Sequence, residues 1–169
     1  LLSDDCERAR ILREIYLSLT GEYPEDSTVR ELGTAITYVK NMLLTEEEIR
    51  QHHWSVNRLP EVYSRYQAEL RARRVIDYDD QMVYALRLLR RFPDVLDDLQ
   101  ERYRFLSVDE AQDTSRVQHE IIRCLASKYE NLFMVGDEDQ SIYAFRAAFP
   151  DALMSFETDH PGAKVLLSE

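Results

Sequence analysis

The stretch Phe105-Leu106-Ser107-Val108-Asp109-Glu110-Ala111-Gln112-Asp113-Thr114 decides how the rest of the chain is read. A short apolar run ends abruptly in two carboxylates, and the helical spacing of the preceding residues stops there. Downstream, Leu132 to Val135 repeats the pattern and ends in Gly136 and Asp137, and Val165 to Leu167 follows the Pro161-Gly162 turn. Short apolar runs bounded by turn residues read as strands. Between the first two runs, Ser115 with Gln118 starts a helix whose Val117, Ile121, Cys124 and Leu125 form the buried face. About fourteen helical residues rise roughly 21 Å, enough to run back along a five-residue strand of roughly 17 Å, so the pattern predicts a right-handed parallel βαβ unit.

Upstream the period is helical throughout. Asp4 with Glu7 opens a helix whose face is Cys6, Ala9, Leu12, Tyr16 and Leu19, closed near Gly21. Ser27 or Thr28 caps a second helix carrying Val29, Leu32, Ile36, Val39 and Leu43. Thr45 with Glu48 makes a capping box for a third. Pro60 suits the first turn of a fourth, with Val62, Tyr63, Tyr66 and Leu70, and Asp79 or Asp80 caps a fifth with Met82, Leu86 and Leu89. Pro93 restarts a sixth with Val95, Leu96 and Leu99. The expected class is α/β, with an all-helical part over residues 1–74 and an α/β part over 75–169.

A composition of 44% hydrophobic and 31% charged residues, with 4 Gly and 5 Pro, excludes collagen-like and disordered chains. No run approaches the roughly 20 apolar residues of a membrane span, and no signal pattern opens the chain, so a cytoplasmic protein is expected. Cys6 and Cys124 read as small apolar residues, which fits a reducing compartment. The net charge of -11 excludes a broadly basic nucleic-acid coat; a nucleic acid would be held locally, by stacking and a few placed cations. The chain begins at Leu1 without methionine and stops at Glu169 just after an apolar run, so an internal piece of a longer protein is expected.

In open α/β sheets ligands sit beyond the carboxyl ends of parallel strands. Here those ends carry Asp109, Glu110, Gln112 and Asp113 on one strand and Asp137, Glu138, Asp139 and Gln140 on the next. Two carboxylates about 4 Å apart repel by about 4 kcal/mol at an effective dielectric near 20, so such a cluster calls for a cation or a proton. Magnesium suits it, because it takes hard oxygen ligands shared between one or two carboxylates and substrate phosphates. Asp109 can hold the ion while Glu110 orients or deprotonates an attacking water. The plainer alternative is that these acids only cap the next helix, through Asp113 or Thr114. His52-His53 lacks companion ligands at metal spacing, and Arg71, Arg73 and Arg74 read as a solvated helix face.

Phe105 to Thr114, with its Asp-Glu-Ala-Gln-Asp-Thr core, resembles the Walker B segment, motif II, of the UvrD/Rep/PcrA branch of superfamily 1 helicases. Val135 to Arg146 is similar to that branch's motif III, and Ile76-Asp77-Tyr78-Asp79-Asp80 to a segment that precedes motif II. The likeness is close over Val75 to Glu169 and looser over Leu1 to Arg74, which matches the family's helical 1B insert in position and character. It implies a partial RecA-like, P-loop NTPase type parallel sheet plus that insert, with Mg2+ and ATP as cofactors. It further implies that Asp109 coordinates magnesium, that Glu110 activates the hydrolytic water, and that Gln140, with Gln112, senses the nucleotide. Tyr143, Phe145 and Arg146 would face single-stranded DNA at a duplex junction, where one base stack contributes about 1 to 3 kcal/mol. Family members commonly carry tryptophan at the position of Phe145 and glycine at that of Ala147.

No Gly-x-x-x-x-Gly-Lys-Ser/Thr string occurs, since the glycines are Gly21, Gly33, Gly136 and Gly162. The resemblance therefore implies a phosphate loop and a second RecA-like domain supplied from elsewhere in the same protein, and a chain inactive alone. Two other readings stand beside a helicase motor: a helicase-nuclease subunit of the AddA or RecB kind, and a non-catalytic helical interaction module.

Overall fold

A computed structural model describes residues 1–2 and 4–137. Its elements are α1 (Asp5–Thr20), α2 (Asp26–Asn41), α3 (Glu46–Gln51), α4 (Leu59–Arg73), α5 (Tyr78–Arg91), α6 (Pro93–Arg102), β1 (Leu106–Val108), α7 (Arg116–Ala126) and β2 (Leu132–Met134). The chain forms two compact units that divide after Ala85, within α5. The third strand expected at Val165 to Leu167 lies outside the described residues.

In the first unit, Asp4 caps α1 by accepting the Cys6 N–H at 2.9 Å, and Gly21 closes it in the left-handed region at φ 78°, a conformation without Cβ strain only for glycine. The buried face of α1 is Ile11, Leu12 and Ile15; Ala9, Tyr16 and Leu19 lie at its margin and Cys6 is exposed, which corrects the expected stripe. Two isoleucines four residues apart bury more apolar area than Cys6 and Ala9 and turn the helix accordingly. Helix α2 starts at Asp26, ahead of Ser27 and Thr28, with Glu25 as its cap residue. That start puts the Asp26 charge in the first turn, where the helix dipole favours it and where Arg13 donates to it at 2.7 Å. Leu43 lies past the end of α2, at φ 53°.

The Thr45 and Glu48 capping box of α3 forms as expected, and Pro60 occupies the first turn of α4. Val29, Leu32, Ile36 and Val39 of α2 and Val62, Tyr66 and Leu70 of α4 fill the core. The cap of α5 is Asp77, not Asp79 or Asp80. Asp77 accepts the Asp80 N–H at 2.9 Å while the Asp80 carboxylate accepts the Asp77 N–H at 3.3 Å. Asp79 is engaged elsewhere, by the Thr37 hydroxyl at 2.8 Å and the Asn41 amide at 2.9 Å.

Charge is buried here. Lys40, its side chain 2% exposed, lies 2.6 Å from Asp77 and 2.8 Å from Asp80. The Tyr66 hydroxyl also donates to Asp77, at 3.0 Å. These bonds and the Leu2 N–H to Ile76 carbonyl bond at 2.7 Å fasten residues 76–80 to the first unit. Burial by itself raises the Asp77 carboxyl, but the Lys40 ammonium outweighs it and holds the group below its usual range. A carboxyl lowered on folding contributes stability above its unfolded value, and that contribution is lost as pH falls through the folded value. The helical signal is expected to resist denaturant equally between about pH 8 and about pH 5 and to weaken below about pH 4. Equal denaturant midpoints at about pH 7 and about pH 3 would contradict this.

In the second unit, Gln100 of α6 donates its amide to the Cys124 carbonyl at 2.8 Å and to the Ser127 hydroxyl at 3.0 Å, joining α6 to α7. Ser115 caps α7, and its N–H reaches the Gln118 side chain at 2.8 Å. Strands β1 and β2 are parallel neighbours, with Leu106 opposite Leu132 and Val108 opposite Met134. The strand, helix, strand order and parallel pairing are as expected. The strands are shorter than their apolar runs: Phe105 precedes the ladder and is 81% exposed. Leu106, Val108, Leu132 and Met134 are half-buried on one face, while Ser107 and Phe133 are exposed on the other.

Candidate nucleotide site at the strand ends

Beyond the paired residues the two strand ends stay joined. The Val135 N–H donates to the Val108 carbonyl at 2.8 Å, and the Ala111 N–H donates to the Val135 carbonyl at 2.9 Å. Between these bonds the chain reverses at Glu110, whose backbone is left-handed at φ 50°, ψ 45°, and enters a single 3-10 turn over Ala111–Asp113. A side chain larger than Gly, Asn or Asp in that region is strained, and such strain concentrates at functional sites. Asp109 and Glu110 are both exposed, and the Asp109 carboxylate accepts the Glu110 N–H at 3.0 Å.

Gln112 is the buried centre of the cluster, 1% exposed. Its amide nitrogen donates to Glu110 Oε2 at 2.7 Å, and its amide oxygen accepts the Asp137 N–H at 3.0 Å. Gly136 makes room for it: a Cβ there would stand 2.6 Å from Gln112 Oε1 and 3.2 Å from the backbone nitrogens of Ala111 and Gln112. The family resemblance implies a nucleotide-sensing Gln112 but not this bridge; the signal for it in the sequence is the glycine two residues past β2, which marks close approach of another chain segment. The cap of α7 is Ser115, so neither Asp113 nor Thr114 performs the capping role weighed for them. Thr114 closes the 3-10 turn, donating to the Ala111 carbonyl at 2.6 Å.

Of the sequence-predicted site residues, Asp109, Glu110 and Gln112 are brought together, and Gly136 and Asp137 join them. Gln140, Tyr143, Phe145 and Arg146 lie outside the described residues. Among the described residues no group of three His, Cys, Asp or Glu side chains could hold a metal ion by itself. An exposed hard carboxylate such as Asp109 fits magnesium, which takes one or two carboxylates and completes its shell with water and phosphate oxygens. His52 packs on Trp54, ring centroids 4.2 Å apart, as an ordinary aromatic contact. No helix among the described residues is long and apolar enough to cross a membrane.

The family model of the UvrD/REP helicase N-terminal domain matches residues 1–161. The chain belongs to the UvrD/REP helicase family. Within this family, the ATP-dependent DNA helicase PcrA of Staphylococcus aureus is 38% identical over 139 residues, covering 80% of the chain and 19% of that protein. The Staphylococcus epidermidis protein of the same name is 36% identical over 137 residues, with the same coverage. The chain thus spans about a fifth of the length of the curated UvrD/REP relatives it matches. The strand-end cluster lies inside the segment matched by the family.

Proposed function

We propose that the chain is part of the first motor domain of a cytoplasmic ATP-dependent DNA helicase that couples Mg-ATP hydrolysis to movement along single-stranded DNA and to duplex unwinding. Residues 1–74 form the 1B-like helical insert, and residues 75–169 form the C-terminal part of a RecA-like ATPase domain. A phosphate loop and a second RecA-like domain, supplied beyond these residues by the same polypeptide, complete the site. The reading is supported above all by one juxtaposition. Glu110 after β1 and the Asp137 N–H after β2 are joined through Gln112, and Asp137 stands three residues ahead of Gln140, the first of the nucleotide and DNA contacts in this reading.

In this reading Asp109 holds the magnesium ion, which supplies charge neutralisation at the phosphates when bound. Glu110 takes a proton from the attacking water, and its exposed carboxylate is free to face that water. Gln140 contacts the terminal phosphate as a neutral amide. Tyr143, Phe145 and Arg146 receive the bases and backbone of a single strand, so loss of the phosphate and a change of DNA grip share one short segment.

Two measurements test it. The 169 residues alone are expected to release no phosphate from ATP above background, for want of a phosphate loop. A polypeptide that joins them to such a loop and to the second motor domain is expected to hydrolyse ATP only with magnesium, and faster with single-stranded DNA. Hydrolysis indifferent to DNA, or undiminished by chelation of divalent ions, would remove the motor reading.

A further inference from the structure

Resting on that reading, we propose that Gln112 is a positioning residue that fixes the Glu110 carboxylate and locks it to the end of β2, and that it senses nucleotide only through these two partners. Its side chain is closed off from solvent, and both halves of its amide are already used. Of the two N–H groups on its amide nitrogen one is spent on a carboxylate, its oxygen is spent on a backbone N–H, and burial keeps the remaining N–H from a phosphate. The two bonds do different things. The donor half restrains one oxygen of Glu110, an otherwise exposed side chain with several free torsions. The acceptor half ties that restraint to Asp137, directly ahead of the segment containing Gln140. Gly136 belongs to the same device, because any Cβ there meets the amide oxygen at 2.6 Å.

Four single variants of the complete motor polypeptide, Glu110→Gln, Gln112→Met, Gln112→Glu and Gly136→Ala, test this by steady-state ATPase kinetics with saturating single-stranded DNA. Gln112→Met keeps the volume but removes the bridge; kcat is expected to fall about tenfold to a hundredfold, as for misplaced catalytic groups, with the KM for ATP changed by less than about twofold. Gly136→Ala is expected to move kcat and KM in the same pattern. Gln112→Glu removes the amide donor and sets a second carboxylate beside Glu110, so its kcat is expected to fall at least as far. A merely structural glutamine would lower the fraction of polypeptide that binds nucleotide but not the rate per binding site, so kcat is expressed per site counted by fluorescent-nucleotide titration; Gly136→Ala, which leaves Gln112 in place, decides the matter if Gln112→Met fails to fold. Parental kcat in the Gln112 variants, or a raised KM with kcat intact as a direct nucleotide contact requires, would overturn the proposal. If Glu110→Gln itself turned over at the parental rate, the underlying site reading would fall instead, so the two failures are distinguishable.

Discussion

Glu110→Gln is expected to lower kcat for ATP hydrolysis by about a hundredfold to ten-thousandfold in the complete motor polypeptide, the usual contribution of a general base. The substitution separates basicity from placement. A glutamine at this position has the same length, and its amide oxygen can still accept the Gln112 N–H that now reaches Oε2 at 2.7 Å. The left-handed backbone at Glu110 is equally strained in both forms, so folding stability offers no competing explanation for a rate loss. ATP affinity, measured by fluorescent-nucleotide titration, is expected to stay within about threefold of the parent, because Glu110 acts on the water rather than on the phosphates. A variant that binds ATP and hydrolyses it at more than about a tenth of the parental rate would exclude Glu110 as the base.

Lys40→Met is expected to destabilise the first unit by about 3 to 5 kcal/mol, since it leaves two buried carboxylates without their cation. Lys40 is held between Asp77 and Asp80, and all three side chains are under a tenth exposed. The remaining bonds to Asp77, from the Tyr66 hydroxyl and the Asp80 N–H, do not neutralise its charge. Denaturant unfolding followed by helical circular dichroism reads the loss directly. The sign of its pH dependence is specific: without Lys40, the burial that raises the Asp77 carboxyl is opposed only by the Asp80 N–H and the Arg8 charge, so acidification, which neutralises that carboxyl, narrows the gap to the parent. A loss below about 1 kcal/mol at neutral pH would mean that water reaches the pair.

The helices were legible in the sequence where a local signal acts alone. Thr45 with Glu48 and Ser115 with Gln118 are reciprocal caps written in four residues, and both form. The cap of α5 was not legible, because Asp77, Tyr78, Asp79 and Asp80 offer three acids in four positions. What selects Asp77 is tertiary: Lys40 draws Asp77 and Asp80 inward, while Thr37 and Asn41 take Asp79. The stripe of α1 was misplaced by one row for a similar reason, since spacing by threes and fours fits both Ile11-Ile15 and Cys6-Ala9 and only packed area separates them. At the strand ends the sequence singles out Asp109, Glu110 and Gln112 as candidates, and hydrogen bonds connect them in the fold. The bridge from Gln112 to Asp137 spans 25 residues and depends on which strands are neighbours, something no local pattern encodes.

The most direct measurement is an experimental structure of the complete polypeptide with magnesium and a non-hydrolysable ATP analogue. The ion is expected on the Asp109 side of β1, with the Glu110 carboxylate turned toward the terminal phosphate and Gln112 still joining Glu110 to Asp137. A nucleotide seated elsewhere, with Asp109 and Glu110 facing neither ion nor phosphate, would contradict this expectation.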